Sequence, residues 1–222
     1  MEKQDRVIER FLEYVQIDSP TTEEKDFKDR LMSDLKELGV EVYEDDAGEK
    51  AGSNSGNLIA KLKGTGDKTI LFSSHMDTVS PGRGIKPEIR DGIIYSDGTT
   101  VLGSDDKAGV AAIVEMLNVL IEEEIPHHNI EVAFTIYEEG GLFGSKYLDY
   151  SKLNADFGIV VDSGSAPGYT VIAGPAQNKI NVKFKGKTAH AGVAPEAGIS
   201  AIQIAAEAIS NMKSVSYTHL AG

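Results

Sequence analysis

The stretch Thr69-Ile70-Leu71-Phe72-Ser73-Ser74-His75-Met76-Asp77-Thr78-Val79 decides the fold. Its first four residues form an apolar run too short for a helix and rich enough in branched and aromatic side chains for a buried strand. Residues two apart face one side of an extended chain, so His75 and Asp77 leave the strand's end together. Taken alone, the pair reads equally well as a hydrogen-bonded histidine beside a turn-forming aspartate, or as a metal ligand with a carboxylate behind its ring.

Two further apolar runs end the same way. Ile130–Tyr137 runs into Glu138-Glu139-Gly140-Gly141, and Phe157–Val161 runs into Asp162-Ser163-Gly164. Between the first and second strands lies Leu102-Gly103-Ser104-Asp105-Asp106-Lys107-Ala108-Gly109, after a hairpin around Asp91-Gly92 and before a helix from about Lys107 to Glu122. One aspartate suffices to cap that helix, and two give more than a cap requires. Acids at the carboxyl ends of successive strands, with a His-x-Asp at the same edge, match where open α/β sheets keep their sites.

Upstream, Val7, Ile8, Phe11, Leu12 and Val15 share one helical face, and Thr21 with Glu24 forms a capping box for a second helix. Phe27, Leu31, Leu35 and Leu38 are its stripe, and Gly39 ends it. Short β runs follow at Val40–Tyr43 and Leu58–Leu62, separated by the Gly/Ser/Asn-rich stretch Ala47–Gly56, and a turn at Gly64–Asp67 precedes the stretch quoted first. A short helix is expected after Gly141. The alternation of strands and helices predicts an α/β layered fold with strands covered on both faces. After Gly174 the texture changes to a strand with alternating Lys183, Lys185 and Lys187, then a helix from about Glu196 to Met212. Domains are therefore expected over 1–173 and 174–222, the second too small to bury a core of its own.

Composition narrows the chemistry. The 222 residues carry 22 Lys+Arg against 35 Asp+Glu, a net charge of −13, which argues against nucleic-acid or anionic-membrane partners. There is no cysteine, so any metal must be held by carboxylates and the five histidines. The segment Met1–Asp18 lacks a continuous apolar region, and no run reaches membrane-spanning length, so a cytoplasmic location is expected. Lys63-Gly64-Thr65-Gly66-Asp67-Lys68-Thr69 lacks the order of a phosphate loop, and Ser163 and Ser165 lack a nucleophile elbow. His75, Asp105, Glu139 and Asp162 are the nitrogen and oxygen set that a paired zinc site would use.

The four motifs Ser74–Val79, Gly103–Gly109, Glu138–Gly141 and Val160–Gly164, in that order, resemble those of the co-catalytic zinc peptidase family that includes peptidase T, carboxypeptidase G, the aminoacylases and succinyl-diaminopimelate desuccinylase. The likeness runs to about Lys213. It implies a mixed sheet flanked by helices and two zinc ions per complete subunit. His75 and Asp162 would bind the first ion, Asp105 would bridge both and Glu139 would bind the second. Asp77 would orient His75, Glu138 would be the general base, and the Asp105–Asp106 peptide bond is expected to be cis. Asp rather than Glu at position 162 looks like the peptidase T branch, implying an aminopeptidase acting on short peptides, tripeptides among them. Gly186-Lys187-Thr188-Ala189-His190-Ala191-Gly192 resembles the loop of an α+β lid and dimerisation domain, which implies a homodimer with His190 serving the partner's site.

One feature departs from the pattern. The second ion would have only Asp105 and Glu139, because relatives supply a further histidine beyond the lid, and the sequence is expected to end inside it. His127, His128 and His219 are poor substitutes in a loop and a tail, Ser214 to Gly222, with no recognisable element. The rival readings are a non-catalytic fragment with a metal-binding or interaction role, holding at most one zinc tightly, and an N-acyl amidohydrolase. The fragment reading leaves apolar surface around Phe134, Ile159 and Ile204 exposed.

Overall fold

The computed structural model describes residues 3–164, 166, 168–174 and 180–212. They fall into two compact units, Met1–Tyr169 and Thr170–Gly222.

The first unit opens with helices α1 (Lys3–Val15) and α2 (Lys25–Glu37), then β1 (Glu41–Glu44), α3 (Ala47–Ala51), β2 (Leu58–Leu62) and β3 (Thr69–His75). The β4–β5 hairpin (Pro87–Arg90, Ile93–Ser96), α4 (Ser104–Glu122), β6 (Asn129–Thr135), α5 (Phe143–Tyr147) and β7 (Phe157–Val160) complete it. The main sheet is mixed, in the order β1-β2-β6-β3-β7. β3 runs parallel to both β6 and β7, with Thr69 opposite Asn129 and His75 opposite Thr135, while β2 is antiparallel to β6 with Leu58 opposite Phe134. The carboxyl ends of β3, β6 and β7 and the start of β2 therefore share one edge of the sheet.

Central β6 is buried along its whole apolar run. Phe134 is fully buried, not exposed as expected, because its side chain packs into the hydrophobic core on the face of the sheet. Among the described residues edge strand β7 has one neighbour, and Phe157, Ile159 and Val160 are exposed on it, so its faces are not covered as expected. The core joins Phe11, Tyr14 and Val15 of α1, Phe27, Leu31 and Leu35 of α2, and Val110, Ile113, Val114 and Leu117 of α4. Polar pins cross it: Arg6 donates to Glu115 (2.7 Å) and Tyr14 to Asp34 (2.6 Å).

Four local readings are corrected. No capping box forms, since α2 begins at Lys25 and Glu24, its N-cap residue, makes no capping bond with its side chain. The stretch Ala47–Gly56 contains α3, ended by Gly52 in the left-handed conformation. In the second unit the helix α6 spans Ala201–Asn211, its N-cap Ser200 accepting from the Gln203 amide, after a separate 3-10 turn at Pro195–Ala197. The alternating lysines form no strand among the described residues, only a bridge between Lys187 and Ile199. Ser165, His219 and the tail lie outside the described residues.

Candidate active site

His75 is the last residue of β3, and its ring is buried where the strand leaves the sheet. Its Nε2 lies 2.9 Å from Asp105 Oδ1 and its Nδ1 3.4 Å from Asp77 Oδ1. Burial disfavours a charged ring, but the carboxylates of Asp77 and Asp105 outweigh it and push the imidazole up to about 10.

Asp105 and Asp106 share the turn into α4, and the bond between them is cis as expected. Their backbone angles are non-helical, which turns the two carboxylates to different tasks. Asp105 faces His75, while buried Asp106 accepts from Ser74 Oγ (2.6 Å) and from the Gly109 amide (3.2 Å). Burial first, then the charge of Asp162, pushes Asp106 up to about 7. The next residue, Lys107, is buried, donates to the Ile17 carbonyl (2.6 Å) and lies over the Phe27 ring, so desolvation brings it down to about 7.

The glycine that closes this motif has a steric reason. A Cβ on Gly109 would lie 2.2 Å from the Val161 carbonyl, one residue before Asp162, and 2.4 Å from Asp106 Oδ1. Gly109→Ala should therefore push the end of β7 away from α4 and cost roughly 1–3 kcal/mol of stability. Urea denaturation checks this, and a wild-type midpoint would refute it.

Beyond β6 the backbone turns sharply through Tyr137, a non-glycine residue at φ 51°. Asp77, fully buried, holds the turn: its Oδ1 accepts from the Glu138 amide (2.8 Å) and its Oδ2 from the Glu139 amide (3.2 Å) and Thr21 Oγ1 (2.8 Å). Although burial opposes it, these donors and His75 keep Asp77 below the usual carboxylate range. One aspartate so lies beside the histidine and accepts from the amides of both acids that follow β6.

Among the described residues, one group could hold a metal ion: a ring nitrogen of His75 and carboxylate oxygens of Asp105 and Glu139, all within 4.8 Å of one another. His75, one of the two residues expected on the first ion, thus lies close to Asp105, expected on the bridge, and to Glu139, expected on the second ion. Asp162, exposed at the end of β7, stands outside that group but close enough for its charge to be felt by Asp106 and Glu138. Glu138, Glu139 and Asp162 are all raised above the usual carboxylate range, by partial desolvation first and then by their acidic neighbours, with His75 opposing. A converging imidazole and several crowded carboxylates are a donor set that a divalent cation would neutralise, and it contains no thiolate.

His127 and His128 fall elsewhere in the first unit. His127 and His128 sit before β6, at the opposite end of the sheet from His75, about 20 Å away along a seven-residue strand. There the His127 carbonyl accepts from the Thr65 and Gly66 amides and the His128 ring from the Lys68 amide, so the pair braces the Gly64–Asp67 turn. His190 lies in the second unit, exposed, its Nδ1 accepting from the Gly192 amide at 3.2 Å. Sequence reasoning missed Glu24, Asn57 and Lys107, whose partners lie dozens of residues away.

Comparison with known proteins shows that the fold is shared with peptidases. The profile of Peptidase family M28 matches residues 57–208. The uncharacterized protein YqjE of Bacillus subtilis is 50% identical over 213 residues, covering 96% of this chain and 57% of that protein. Among solved structures, a tripeptidase from Staphylococcus aureus superposes with a TM-score of 0.83 at 41% identity, covering 96% of this chain and 57% of its own. Aminopeptidase PepT from Bacillus cereus superposes at 0.74 with 45% identity, covering 94% of this chain and 57% of its own. The chain therefore spans a little over half the length of these relatives.

Proposed function

Because the chain belongs to peptidase family M28, we propose that the protein is a zinc-dependent aminopeptidase that hydrolyses short peptides with a free amino terminus, tripeptides among them. The observation that carries the reading is the convergence of His75, Asp105 and Glu139 at the carboxyl edge of parallel strands, with Glu138 beside them on the turn that Asp77 holds. The tripeptidase and PepT likenesses support the substrate class.

His75, Asp105 and Glu139 would hold zinc, with Asp162 at the margin as a further ligand of a two-ion centre. Zinc held there would supply Lewis acidity toward the scissile carbonyl and the attacking water. Glu138 then takes the water's proton and hands it to the leaving amine. Asp77 keeps the His75 ring turned so that Nε2 faces Asp105. The second unit serves as lid and dimerisation element, and His190 reaches the partner's site to hold the substrate. No helix among the described residues is long and apolar enough to cross a membrane, and the proposal places the enzyme in the cytoplasm.

An assay with blocked substrates tests the reading. The zinc-loaded protein should release the first residue of a free tripeptide and leave the N-acetylated tripeptide intact. Equal cleavage of both, or of the blocked peptide alone, would assign the site to an amidohydrolase instead.

A further inference from the structure

Four consecutive backbone amides leave the β6 ladder and are each taken by a side-chain oxygen. Ile136 donates to Asn57 Oδ1 (3.0 Å), Tyr137 to Glu24 Oε1 (3.0 Å), Glu138 to Asp77 Oδ1 (2.8 Å) and Glu139 to Asp77 Oδ2 (3.2 Å). All three acceptor residues are fully buried. Strand pairing stops at Thr135, two residues before the sequence pattern predicts, because these oxygens replace the ladder.

We infer that Glu24, seconded by Asn57, is a positioning residue that fixes the backbone of the Tyr137–Glu139 turn and so aims the Glu138 carboxylate. Burying a carboxylate is costly unless its oxygens are satisfied, and no helix cap is gained from this one. Its Oε2 accepts from Ser53 Oγ, and its Oε1 accepts at once from Thr22 and Tyr137. Both of those residues are in the left-handed conformation, at φ 78° and 51°, where a side chain is strained and persists only under restraint. One oxygen therefore locks the loop between α1 and α2 to the turn that carries the two glutamates.

Asn57 closes the other side. Its amide donates to the Gly144 carbonyl (3.0 Å) and to Asp45, and the Gly144 amide returns a bond to Ile136. A Cβ on Gly144 would meet the Ile136 carbonyl at 2.2 Å, so the segment from Ile136 to Gly144 is clamped at both ends. The turn has little freedom left, and a carboxylate that must reach one proton needs that rigidity.

The proposal rests on the role given to Glu138, so its test begins without turnover. Residue-by-residue amide exchange on the metal-free protein should show Glu24→Ala speeding exchange at Tyr137, Glu138 and Glu139 by roughly tenfold or more, while Val132 and Phe134 of β6 keep their protection. Glu24→Gln retains an oxygen for Tyr137 and should match the wild type. In the zinc-loaded protein, Glu24→Ala should lower kcat for a tripeptide roughly 10²-fold with zinc content and KM near wild type, and Glu24→Gln should restore it. Unchanged exchange at 137–139, an equal loss throughout β6, or a Gln variant as labile as the Ala variant would each overturn the assignment. If the wild type cleaves no peptide, the functional reading falls, and the exchange result still decides this one.

Discussion

Glu138→Gln is expected to stop peptide hydrolysis, a fall of about 10²–10⁴-fold, while zinc content stays at the wild-type level. The two neighbouring glutamates separate because the turn sends them to different places. Glu139 joins His75 and Asp105 in the converging group, and the oxygens of Glu138 stand outside it. Gln at position 138 keeps the size of the side chain and the backbone bond to Asp77, and it removes only the ability to take a proton. Glu139→Ala should do the opposite and lower zinc content, since it deletes one of three converging donors. Elemental analysis of both variants beside a tripeptide assay decides the matter. Loss of zinc in the Glu138 variant would reverse the two assignments.

Much of this site was legible because it follows strand ends. Apolar runs of strand length stop at Phe72, Tyr137 and Val161, and the acids and the histidine begin within three residues of each stop. A buried run needs a polar exit, and parallel strands deliver their exits to one edge, so order along the chain became proximity in space. The supports were not legible, because each bridges distant segments: Glu24 to Tyr137, Asn57 to Ile136, Lys107 to Ile17. Thr21 and Glu24 matched a local cap, and a cap is what the pattern most often means. In the fold both side chains point across the molecule, Thr21 to Asp77 and Glu24 to Tyr137, because those contacts satisfy buried groups that a helix end in water does not have.

The short helix α3 shows the same limit from the other direction. Ala47–Ala51 is too short to hold a helix by itself and has Gly at its second position, yet Asp45 accepts from the Ala47 and Asn57 amides and folds the segment back on itself. A Cβ on Gly48 would fall 2.2 Å from the Ser55 carbonyl, so the glycine that weakens the helix is what lets the loop close. In the second unit, alternation of Lys183, Lys185 and Lys187 is a strand pattern without a ladder partner among the described residues, and pairing is limited to Lys187 with Ile199.

Asp77→Asn should weaken zinc binding by roughly 10–100-fold and cost about 1–3 kcal/mol of stability, although it changes one atom. Both oxygens of Asp77 already accept: Oδ1 from the Glu138 amide, with the His75 ring beside it, and Oδ2 from the Glu139 amide and the Thr21 hydroxyl. Asn has one oxygen for these two sets. With that oxygen at the Oδ1 position, the new NH₂ faces the Glu139 amide and two donors meet head on. In the other orientation it meets Glu138 and the His75 ring, and the imidazole loses the acceptor that fixes its tautomer. Either way a zinc ligand or the turn that carries one is displaced. Thr21→Val provides the control, because it removes a single hydroxyl and should cost about 1 kcal/mol while leaving zinc affinity intact. Zinc competition titrations and urea denaturation of both variants test the claim, and an Asn variant that binds zinc as tightly as the wild type would show that Asp77 does not hold the ligands in place.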